Sequence, residues 1–238
     1  MSALNVSSLK KNFGNYQVLQ GISFEVKEGE IFGLIGPNGA GKTTTLRILA
    51  TLLQISSGDV TIFGHKLPSE AAEVRKIISY LPEDAGAYKN LTGRQYLEFI
   101  ARFFTSGNGV ASMIERGARI ARLGNRLEDK VDNYSKGMTR RLLIARALMV
   151  EPKLAILDEP SSGLDVLSAG EVRNIIRTAA DNGLAVLLSS HNMLEVELLC
   201  DRIALINQGK IVAIGTAPEL KQQYAADNIE QVFIKIVS

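Results

Sequence analysis

The chain has 238 residues, of which 46% are hydrophobic, and its 27 Lys and Arg nearly balance its 25 Asp and Glu. A chain of this length buries about 70–75% of the surface that its unfolded form exposes, so it needs neither disulfides nor a structural metal to hold a core. The net charge of +2 is too small to attract nucleic acid over a distance, so we expect no nucleic-acid partner. The single cysteine, Cys200, excludes an internal disulfide and favours a reducing compartment.

No apolar run approaches the roughly 20 residues that span a bilayer, and the first residues lack the basic and apolar regions of a secretory signal. The sequence therefore predicts a soluble protein of the cytoplasm. Any role at a membrane has to come from a local surface of the protein.

Short β-rich apolar runs alternate with longer segments of helical spacing, which is the pattern of an α/β sheet. Strands are predicted at 4–11, 22–27, 30–35, 59–63, 77–81, 154–157, 184–189, 202–207 and 210–214. The run 154–157 is continuously apolar rather than alternating, as expected of a central strand covered on both faces.

Helical signals replace the strand signals between about Thr92 and Val150. The residues from Thr92 to Gln95 have the pattern of a capping box, and an apolar stripe at helical spacing follows them. The stripe consists of Tyr96, Phe99, Ile100, Phe103 and Phe104. We expect Phe99, Phe103 and Phe104 to be buried in the core of this region.

Two further helices are predicted in the same region. Residues 106–109, Ser-Gly-Asn-Gly, end the first helix, the second helix runs to about Leu123, and the third begins after Ser135. We therefore predict that residues 84–150 form a helical sub-domain inserted into the sheet domain.

Residues 36–43 read Gly-Pro-Asn-Gly-Ala-Gly-Lys-Thr, between the apolar run 31–35 and a helical run at 44–53. This is the G-x-x-x-x-G-K-[ST] pattern in the strand-to-helix context that it requires. Glycines let successive backbone N–H groups point at a phosphate, and the following helix adds its positive N-terminal end. Lys42 supplies a charge for the β- and γ-phosphate oxygens, and the Thr43 hydroxyl suits Mg²⁺.

The alternative for this segment is a glycine-rich turn with a stray lysine. Four specified positions coincide by chance in only about one chain in a hundred, so a nucleotide site is favoured. The predicted nucleotide-binding residues of the segment are Gly36, Pro37, Asn38, Gly39, Ala40, Gly41, Lys42, Thr43 and Thr44.

Two carboxylates, Asp158 and Glu159, end the apolar run 154–157 and precede Pro160. Ligands of open α/β sheets bind outside the carboxyl ends of the strands, so both acids are expected near the phosphates. Asp158 is then the natural metal ligand, and Glu159 can orient or deprotonate the attacking water. By itself the sequence Asp-Glu-Pro is most often a polar turn. Because a phosphate loop is present in the same chain, a metal site becomes the favoured interpretation.

His191 follows another apolar run, at 184–189, and so lies at the carboxyl end of a strand as well. A neutral imidazole there can donate a hydrogen bond to a γ-phosphate oxygen, which makes His191 a second catalytic candidate. A solvated or capping histidine is an equally good interpretation of this residue alone. Asn192 and Glu195 have the pattern of a cap for the next helix.

Residues 134–138, Tyr-Ser-Lys-Gly-Met, stand some 20 residues before Asp158 and open the helix that leads to it. Together with the phosphate loop and the acidic pair, they resemble the nucleotide-binding subunits of ABC transporters, over essentially the whole chain. The resemblance implies one ATP-binding domain over residues 1–238, with a P-loop NTPase core sheet of the α/β class. It also implies an N-terminal antiparallel β sub-domain and the inserted helical sub-domain.

The resemblance assigns further site residues. The signature that faces the other ATP-binding domain is Ser135, Lys136, Gly137 and Met138. Asp165 is the acid of the D-loop at 161–165, His191 is the switch histidine, and ATP with Mg²⁺ is the implied ligand pair. Phe13 stands where an aromatic ring stacks on adenine, with Tyr16 as the second candidate and packing as the alternative role.

Two departures from the family pattern stand out. Glu83 replaces the usual glutamine, so its carboxylate is expected at the metal together with Thr43 and Asp158, but it adds negative charge beside the phosphates. The signature carries Lys136 and Met138 where glycine and glutamine are usual. We hypothesise that Lys136 offsets the added charge across the dimer.

The resemblance implies ATP hydrolysis between two such domains arranged head to tail, as a homodimer or a heterodimer. Separate transmembrane permease subunits would use that hydrolysis for transport, with the chain on the inner face of the cell membrane. The sequences Leu-Pro-Glu at 81–83 and Tyr-Ser-Lys-Gly-Met at 134–138 favour export. For contact with the permease, Tyr88 is a better candidate than the aromatic stripe of the first predicted helix. The alternative is a soluble ABC-type ATPase on a non-membrane assembly; the signature argues against a small phosphotransferase.

Overall fold

The computed structural model describes residues 2–237 as a core sheet, a smaller antiparallel sheet and a set of helices. The strands are β1 (Ser2–Phe13), β2 (Tyr16–Lys27), β3 (Ile31–Ile35), β4 (Ser57–Ile62), β5 (His65–Leu67), β6 (Ile78–Leu81), β7 (Leu154–Asp158), β8 (Ala185–Ser190), β9 (Arg202–Asn207) and β10 (Lys210–Gly215). The α-helices are α1 (Lys42–Leu49), α2 (Ala71–Ile77), α3 (Gly93–Phe104), α4 (Asn108–Ala121), α5 (Lys136–Leu148), α6 (Val166–Asp181), α7 (Met193–Leu199), α8 (Ala217–Gln223) and α9 (Ile229–Val237). None of the helices in residues 2–237 has both the length and the apolar character needed to cross a bilayer.

The core sheet has the strand order β10-β9-β3-β8-β7-β6, and the second sheet has the order β2-β1-β4-β5. All neighbours in the core sheet are parallel except the β9–β10 pair, whereas the second sheet is antiparallel throughout. The parallel arrangement brings the carboxyl ends of β3, β7 and β8 to one edge, where ligands of such sheets bind. The predicted fold class, including the N-terminal antiparallel part, is confirmed.

Alternate residues of β3 enter two hydrophobic clusters on opposite faces of the core sheet. Ile31 and Ile35 belong to the cluster that includes residues of α4, α5 and α6, and Phe32 and Leu34 belong to the cluster that includes residues of α1 and the antiparallel sheet. All five residues of β3 are buried, as are those of β7, which lies between β8 and β6. The prediction that the run 154–157 is covered on both faces is therefore confirmed.

Some element boundaries differ from those predicted. Strand β2 begins at Tyr16 rather than at residue 22, because Gly14 (φ 58°) allows a tight hairpin in which Phe13 pairs with Tyr16. The three-residue strand β5 was not predicted. Helix α1 covers Lys42–Leu49 instead of 44–53, and Thr51 just beyond it has a positive φ of 62°.

The predicted start signals of α3 and α5 are both present. The Thr92 side chain accepts a hydrogen bond from the Gln95 N–H, and the Gln95 side chain accepts one from the Thr92 N–H, which completes the capping box. The Ser135 side chain caps α5 by accepting from the Met138 N–H. These helices lie within residues 84–150; the exact bounds of the inserted sub-domain stay a prediction.

The expectation that the stripe of α3 is wholly buried is wrong. Tyr96 is only 2% exposed, but Phe99 is 39%, Phe103 71% and Phe104 62% exposed. The buried face of the helix is formed by Tyr96 and by Leu97 and Ala101. The stripe of rings is wider than the face that packs, so its second half lies on the surface.

Candidate functional site

The glycine-rich segment connects β3 to α1, as the sequence predicts. A Cβ atom on Gly36 would stand 2.0 Å from the carbonyl oxygen of Ile206 in β9, so no side chain fits there. Gly41 has a φ of 106° and Gly39 one of 80°, a region that favours glycine. The segment therefore packs closely against the core sheet at Gly36, whereas Pro37, Asn38 and Gly39 are exposed.

Lys42 folds back over this segment. Its Nζ donates hydrogen bonds to the carbonyl oxygens of Gly36 at 2.7 Å and Pro37 at 3.3 Å, and it lies 3.6 Å from Glu159 Oε1. The residue is 6% exposed. A buried ammonium needs such partners, because an unpaired charge without them would be strongly destabilising.

Asp158 ends β7 beside the first turn of α1. The Thr43 Oγ1 hydroxyl donates to Asp158 Oδ1 at 3.4 Å, and the Ser189 hydroxyl donates to the same oxygen at 2.5 Å. Asp158 is 1% exposed. Hydroxyl and carboxylate oxygens are the ligands that Mg²⁺ prefers, so Thr43 and Asp158 fit that ion.

Among residues 2–237 no cluster of three or more His, Cys, Asp or Glu side chains could hold a metal without other ligands. Mg²⁺ at nucleotide sites usually takes one or two protein oxygens and completes its shell with phosphate oxygens and water. Thr43 and Asp158 together supply this small number of protein oxygens.

Glu159 lies between Lys42 and His191. Its Oε1 faces Lys42, and its Oε2 lies 2.9 Å from His191 Nδ1 and accepts from the His191 N–H at 3.3 Å. The residue is 5% exposed and has a φ of 49°, which is uncommon for a side chain of this size. The Glu159 N–H donates to the backbone and side-chain oxygens of Ser189, which helps to hold this backbone conformation.

His191 has a side chain that is 50% exposed and stands directly after β8. Asn192, not His191, caps α7, because its side chain accepts from the Glu195 N–H at 3.2 Å. A neutral ring that donates from Nδ1 to Glu159 offers only an acceptor at Nε2. Donation from Nε2 to a phosphate therefore requires the imidazolium or the release of Glu159.

The signature residues occupy the N-terminal turn of α5. Ser135 accepts from Met138, which leaves its hydroxyl hydrogen free to donate. A Cβ atom on Gly137 would stand 2.4 Å from Ser168 Oγ, so α5 approaches α6 closely at this point. None of the hydrogen bonds or ion pairs within residues 2–237 joins Ser135, Lys136, Gly137 or Met138 to the phosphate loop.

The predicted D-loop acid, Asp165, caps the N-terminus of α6. Its Oδ1 accepts from the N–H groups of Leu167 and Ser168 at 3.1 and 3.0 Å, and its Oδ2 accepts from the Ser168 hydroxyl at 2.7 Å. The hydrogen bonds from Ser168 lower the pKa of this carboxyl. Its place in a dimer stays a prediction.

Glu83 is exposed and accepts a hydrogen bond from the Ser162 hydroxyl at 3.3 Å. This contact joins it to the 161–165 segment and not to Thr43 or Asp158. A role for its carboxylate at the metal stays a prediction.

The two candidate adenine rings differ in position. Tyr16, 70% exposed, lines a cleft of about 470 Å³ together with residues 37–40 of the phosphate loop. Phe13, 48% exposed, is not among the residues that line this cleft, and the Lys11 ammonium lies 4.8 Å from its ring centroid. Tyr16 therefore shares a cleft with the phosphate loop, whereas Phe13 does not line that cleft. Thr44 lies in the first turn of α1.

Arg140 is a site residue that sequence reasoning missed. It is 8% exposed, on α5, and its guanidinium donates to four backbone carbonyl oxygens. The acceptors are Pro160 O at 2.6 Å, Asp158 O at 3.1 Å, Glu83 O at 3.3 Å and Glu159 O. Burial lowers the pKa of this guanidinium, and the carboxylates of Glu83, Asp158 and Glu159 oppose that effect.

Ser189 was missed as well, although its position offers a signal. It is a small polar residue at the end of an apolar strand, 0% exposed, and it bonds both Asp158 and Glu159. No comparable signal marked Arg140, because a charged residue in a helix most often faces solvent.

Comparison with known proteins identifies the family. The family model described as ABC transporter matches residues 19–162, which contain the phosphate loop and both acids. The chain belongs to the ABC transporter family. It is an ATP-binding ATPase of that family.

Relatives and a solved structure resemble this ABC protein over most of its length. A linearmycin resistance ATP-binding protein of Bacillus subtilis (strain 168) is 37% identical over 97% of this chain and 75% of its own. A daunorubicin/doxorubicin resistance ATP-binding protein of Streptomyces peucetius is 39% identical over 94% of this chain and 68% of its own. A solved ATP-binding subunit of an ABC transporter, 29% identical, superposes with a TM-score of 0.86 over 99% of this chain and 100% of its own.

Proposed function

We propose that this ABC protein hydrolyses ATP with Mg²⁺ at the interface of a head-to-tail dimer and drives export through separate transmembrane subunits. The observation that carries the proposal is the position of Glu159. Its carboxylate lies between Lys42 and His191, beside the pair of Thr43 and Asp158. The side chains to which we assign phosphate binding, metal binding and proton transfer thus lie at one edge of the sheet.

The reaction assigned to this site is transfer of the γ-phosphoryl group to water. The water oxygen bonds to the γ-phosphorus, the bond from that phosphorus to the bridging oxygen breaks, and ADP leaves. Glu159 orients the water and takes its proton, and Lys42 balances charge on the phosphate oxygens. Thr43 and Asp158 would hold Mg²⁺, which would supply further positive charge to those oxygens when bound.

The signature is proposed to act on the ATP held by the other subunit. Its hydroxyl and N–H donors lie at the start of α5, where the helix end is positive, and they make no bond to this chain's own phosphate loop in residues 2–237. The second subunit is either another copy of the chain or a different ATP-binding subunit.

An exposed aromatic patch supports a permease partner. We define it as Tyr88, Phe99, Phe103 and Phe104. The centroids of Tyr88 and Phe99 are 5.3 Å apart, and those of Phe99 and Phe103 are 5.1 Å apart, so these three rings are contiguous. Exposed apolar patches occur at surfaces that contact other proteins, and we propose that this one contacts the permease. The chain would then lie on the inner face of the cell membrane, against its permease.

The export direction is proposed from the relatives. Two of them are named for resistance to linearmycin and to daunorubicin or doxorubicin, and resistance of this kind is consistent with removal of a compound from the cell. The transported compound of this chain would contact the permease and not this subunit.

The test is purification of the tagged chain from membrane and soluble fractions, followed by mass spectrometry of the proteins retained. We expect polytopic subunits in the membrane fraction and ATPase activity that rises when they are present. Recovery of the chain only with soluble assembly proteins would overturn the transport proposal while leaving ATP hydrolysis intact.

A further inference from the structure

Arg140 reaches from the helix of the signature to the end of the catalytic strand. It stands five residues after Ser135, about 7–8 Å along the helix axis. Its side chain crosses to the end of β7, where it donates to the successive carbonyl oxygens of Asp158, Glu159 and Pro160. A fourth hydrogen bond goes to the Glu83 carbonyl oxygen.

The chemistry of these contacts is unusual for a buried arginine. A guanidinium has five N–H donors in a rigid fork, and four of them are used here on backbone oxygens. Among the ion pairs of residues 2–237, Arg140 has no carboxylate partner within 4.0 Å. The side chain therefore acts on the course of the backbone and not as one half of an ion pair.

The backbone that Arg140 contacts is the segment in which the chain leaves the core sheet. The β7–β8 ladder ends at the pair of Asp158 and Ser189, and Glu159 follows with a φ of 49°. A residue in this region keeps its conformation only where the surroundings impose it. Its carbonyl oxygen is one of the acceptors of Arg140, and so are those on either side of it.

We infer that Arg140 is a positioning residue that fixes the Glu159 carboxylate and couples it to the signature helix of the same subunit. The inference rests on the proposed function. ATP held by the partner subunit would contact the N-terminal turn of α5, and Arg140 would carry the resulting shift of that helix to Glu159. Hydrolysis at one site would then depend on ATP at the other, which is a coupling free energy between sites.

The experiment measures four quantities on the purified chain and its variants. They are kcat, the ATP dissociation constant, the Hill coefficient for ATP, and Tm. The variants are Arg140→Gln and Arg140→Lys, with Arg141→Gln as the matched control. Arg141 is the next residue of the same helix, and its guanidinium contacts the Arg122 carbonyl oxygen and Glu171 instead of the end of β7.

We expect Arg140→Gln to lower kcat about 100-fold, the size of effect that a small displacement of a catalytic group can have. Its ATP dissociation constant should stay within about twofold of the parent, since only catalytic geometry is lost. The Hill coefficient should fall to about 1. Arg140→Lys, which keeps the charge and three donors, should recover part of kcat, and Arg141→Gln should keep both kcat and the Hill coefficient.

Three results would overturn the inference. They are a parental kcat and Hill coefficient in Arg140→Gln, an equal loss in Arg141→Gln, or a loss that lies in ATP binding and not in kcat. If Arg140→Gln proves too unstable to assay, the Arg140→Lys variant is measured instead. A parental kcat together with a parental Hill coefficient in Arg140→Lys would also overturn the inference. A parent chain that neither binds nor hydrolyses ATP would overturn the proposed function, and this inference with it.

Discussion

The Lys42 ammonium lies 3.6 Å from Glu159 Oε1, and both side chains are 6% exposed. The same ammonium is the group expected to contact the β- and γ-phosphates, so a triphosphate competes with Glu159 for it. If phosphate took Lys42, Glu159 would still have His191, now 2.9 Å from its Oε2, as a neighbour, and we expect its Oε1 to become available to water. On the proposed function, we therefore expect nucleotide binding to free Glu159 for its role as the base.

Glu159→Gln should separate binding from turnover. The amide keeps the shape of the side chain but cannot accept a proton from water, so we expect kcat to fall about 10²–10⁴-fold. ATP binding should persist and leave a stable dimer, measured by size-exclusion chromatography with Mg-ATP. Glu73→Gln, on the exposed face of α2, is the control. A Glu159→Gln protein with the parental rate of hydrolysis would remove this residue from the role of base.

Gly36→Ala should destabilise the protein and weaken ATP binding. Its Cβ would stand 2.0 Å from the Ile206 carbonyl oxygen, and a backbone atom cannot move aside as a flexible side chain can. Overpacking of this kind costs about 1–3 kcal/mol or more in the free energy of unfolding, which urea titration measures. Gly86→Ala is the control, because a Cβ there meets nothing within 4 Å. Equal stability of the two variants would contradict the assigned contact.

Glu195→Gln should stabilise the protein near neutral pH. Burial raises the pKa of the Glu195 carboxyl, and the Ser161 hydroxyl and Arg173 only partly offset this. The folded state therefore prefers the protonated acid, and its stabilising contribution is lost as pH rises from about 4.3 through the raised pKa. The amide keeps an acceptor for Ser161 without the charge.

The measurement for Glu195 is Tm of parent and variant in a pH series that starts near the unfolded pKa of about 4.3 and rises through the raised pKa of the folded state. We expect the variant's advantage to grow with pH and to vanish at the acidic end. A constant difference across the range would show that packing, and not ionisation, separates the two proteins.

Tyr88→Asp should uncouple the chain from its permease without affecting hydrolysis by the purified subunit. The ring is 55% exposed and, within residues 2–237, its aromatic contacts are with Tyr96 and Phe99, so we expect a carboxylate there to disturb the patch and not the ATP site. Transport in vesicles and permease co-purification are the readouts. Leu52→Asp is the control, since Leu52 is similarly exposed at 61% but lies outside the patch. Normal transport by Tyr88→Asp would exclude Tyr88 from the interface.

Short-range sequence patterns predicted the structural elements that depend on neighbouring residues. The capping box at Thr92, the continuous run at 154–157 and the glycine segment before Lys42 each depend on neighbouring residues, and each is present. The first half of β2 was missed because its residues alternate weakly, and its pairing is imposed by the turn at Gly14. Three-residue β5 is too short to leave a pattern.

The sequence predicted those site residues that stand at the carboxyl ends of strands. Asp158, Glu159 and His191 were expected together because parallel strands deliver them to one edge. Arg140 could not be predicted, because its partners are carbonyl oxygens, which every residue carries. The exposure of Phe103 and Phe104 was missed for a related reason: helical spacing defines a face but not how much of it a neighbour covers.

The exposed aromatic patch also affects how the cell would control the amount of unassembled protein. If the proposed permease covers this patch, copies made in excess of it would carry Phe103 and Phe104 uncovered, at 71% and 62% exposure. Chaperones and proteases act on exposed apolar surface of this kind, so unassembled copies are the ones that would be removed. Matched synthesis of the subunits, or degradation of the surplus, would then keep their ratio fixed.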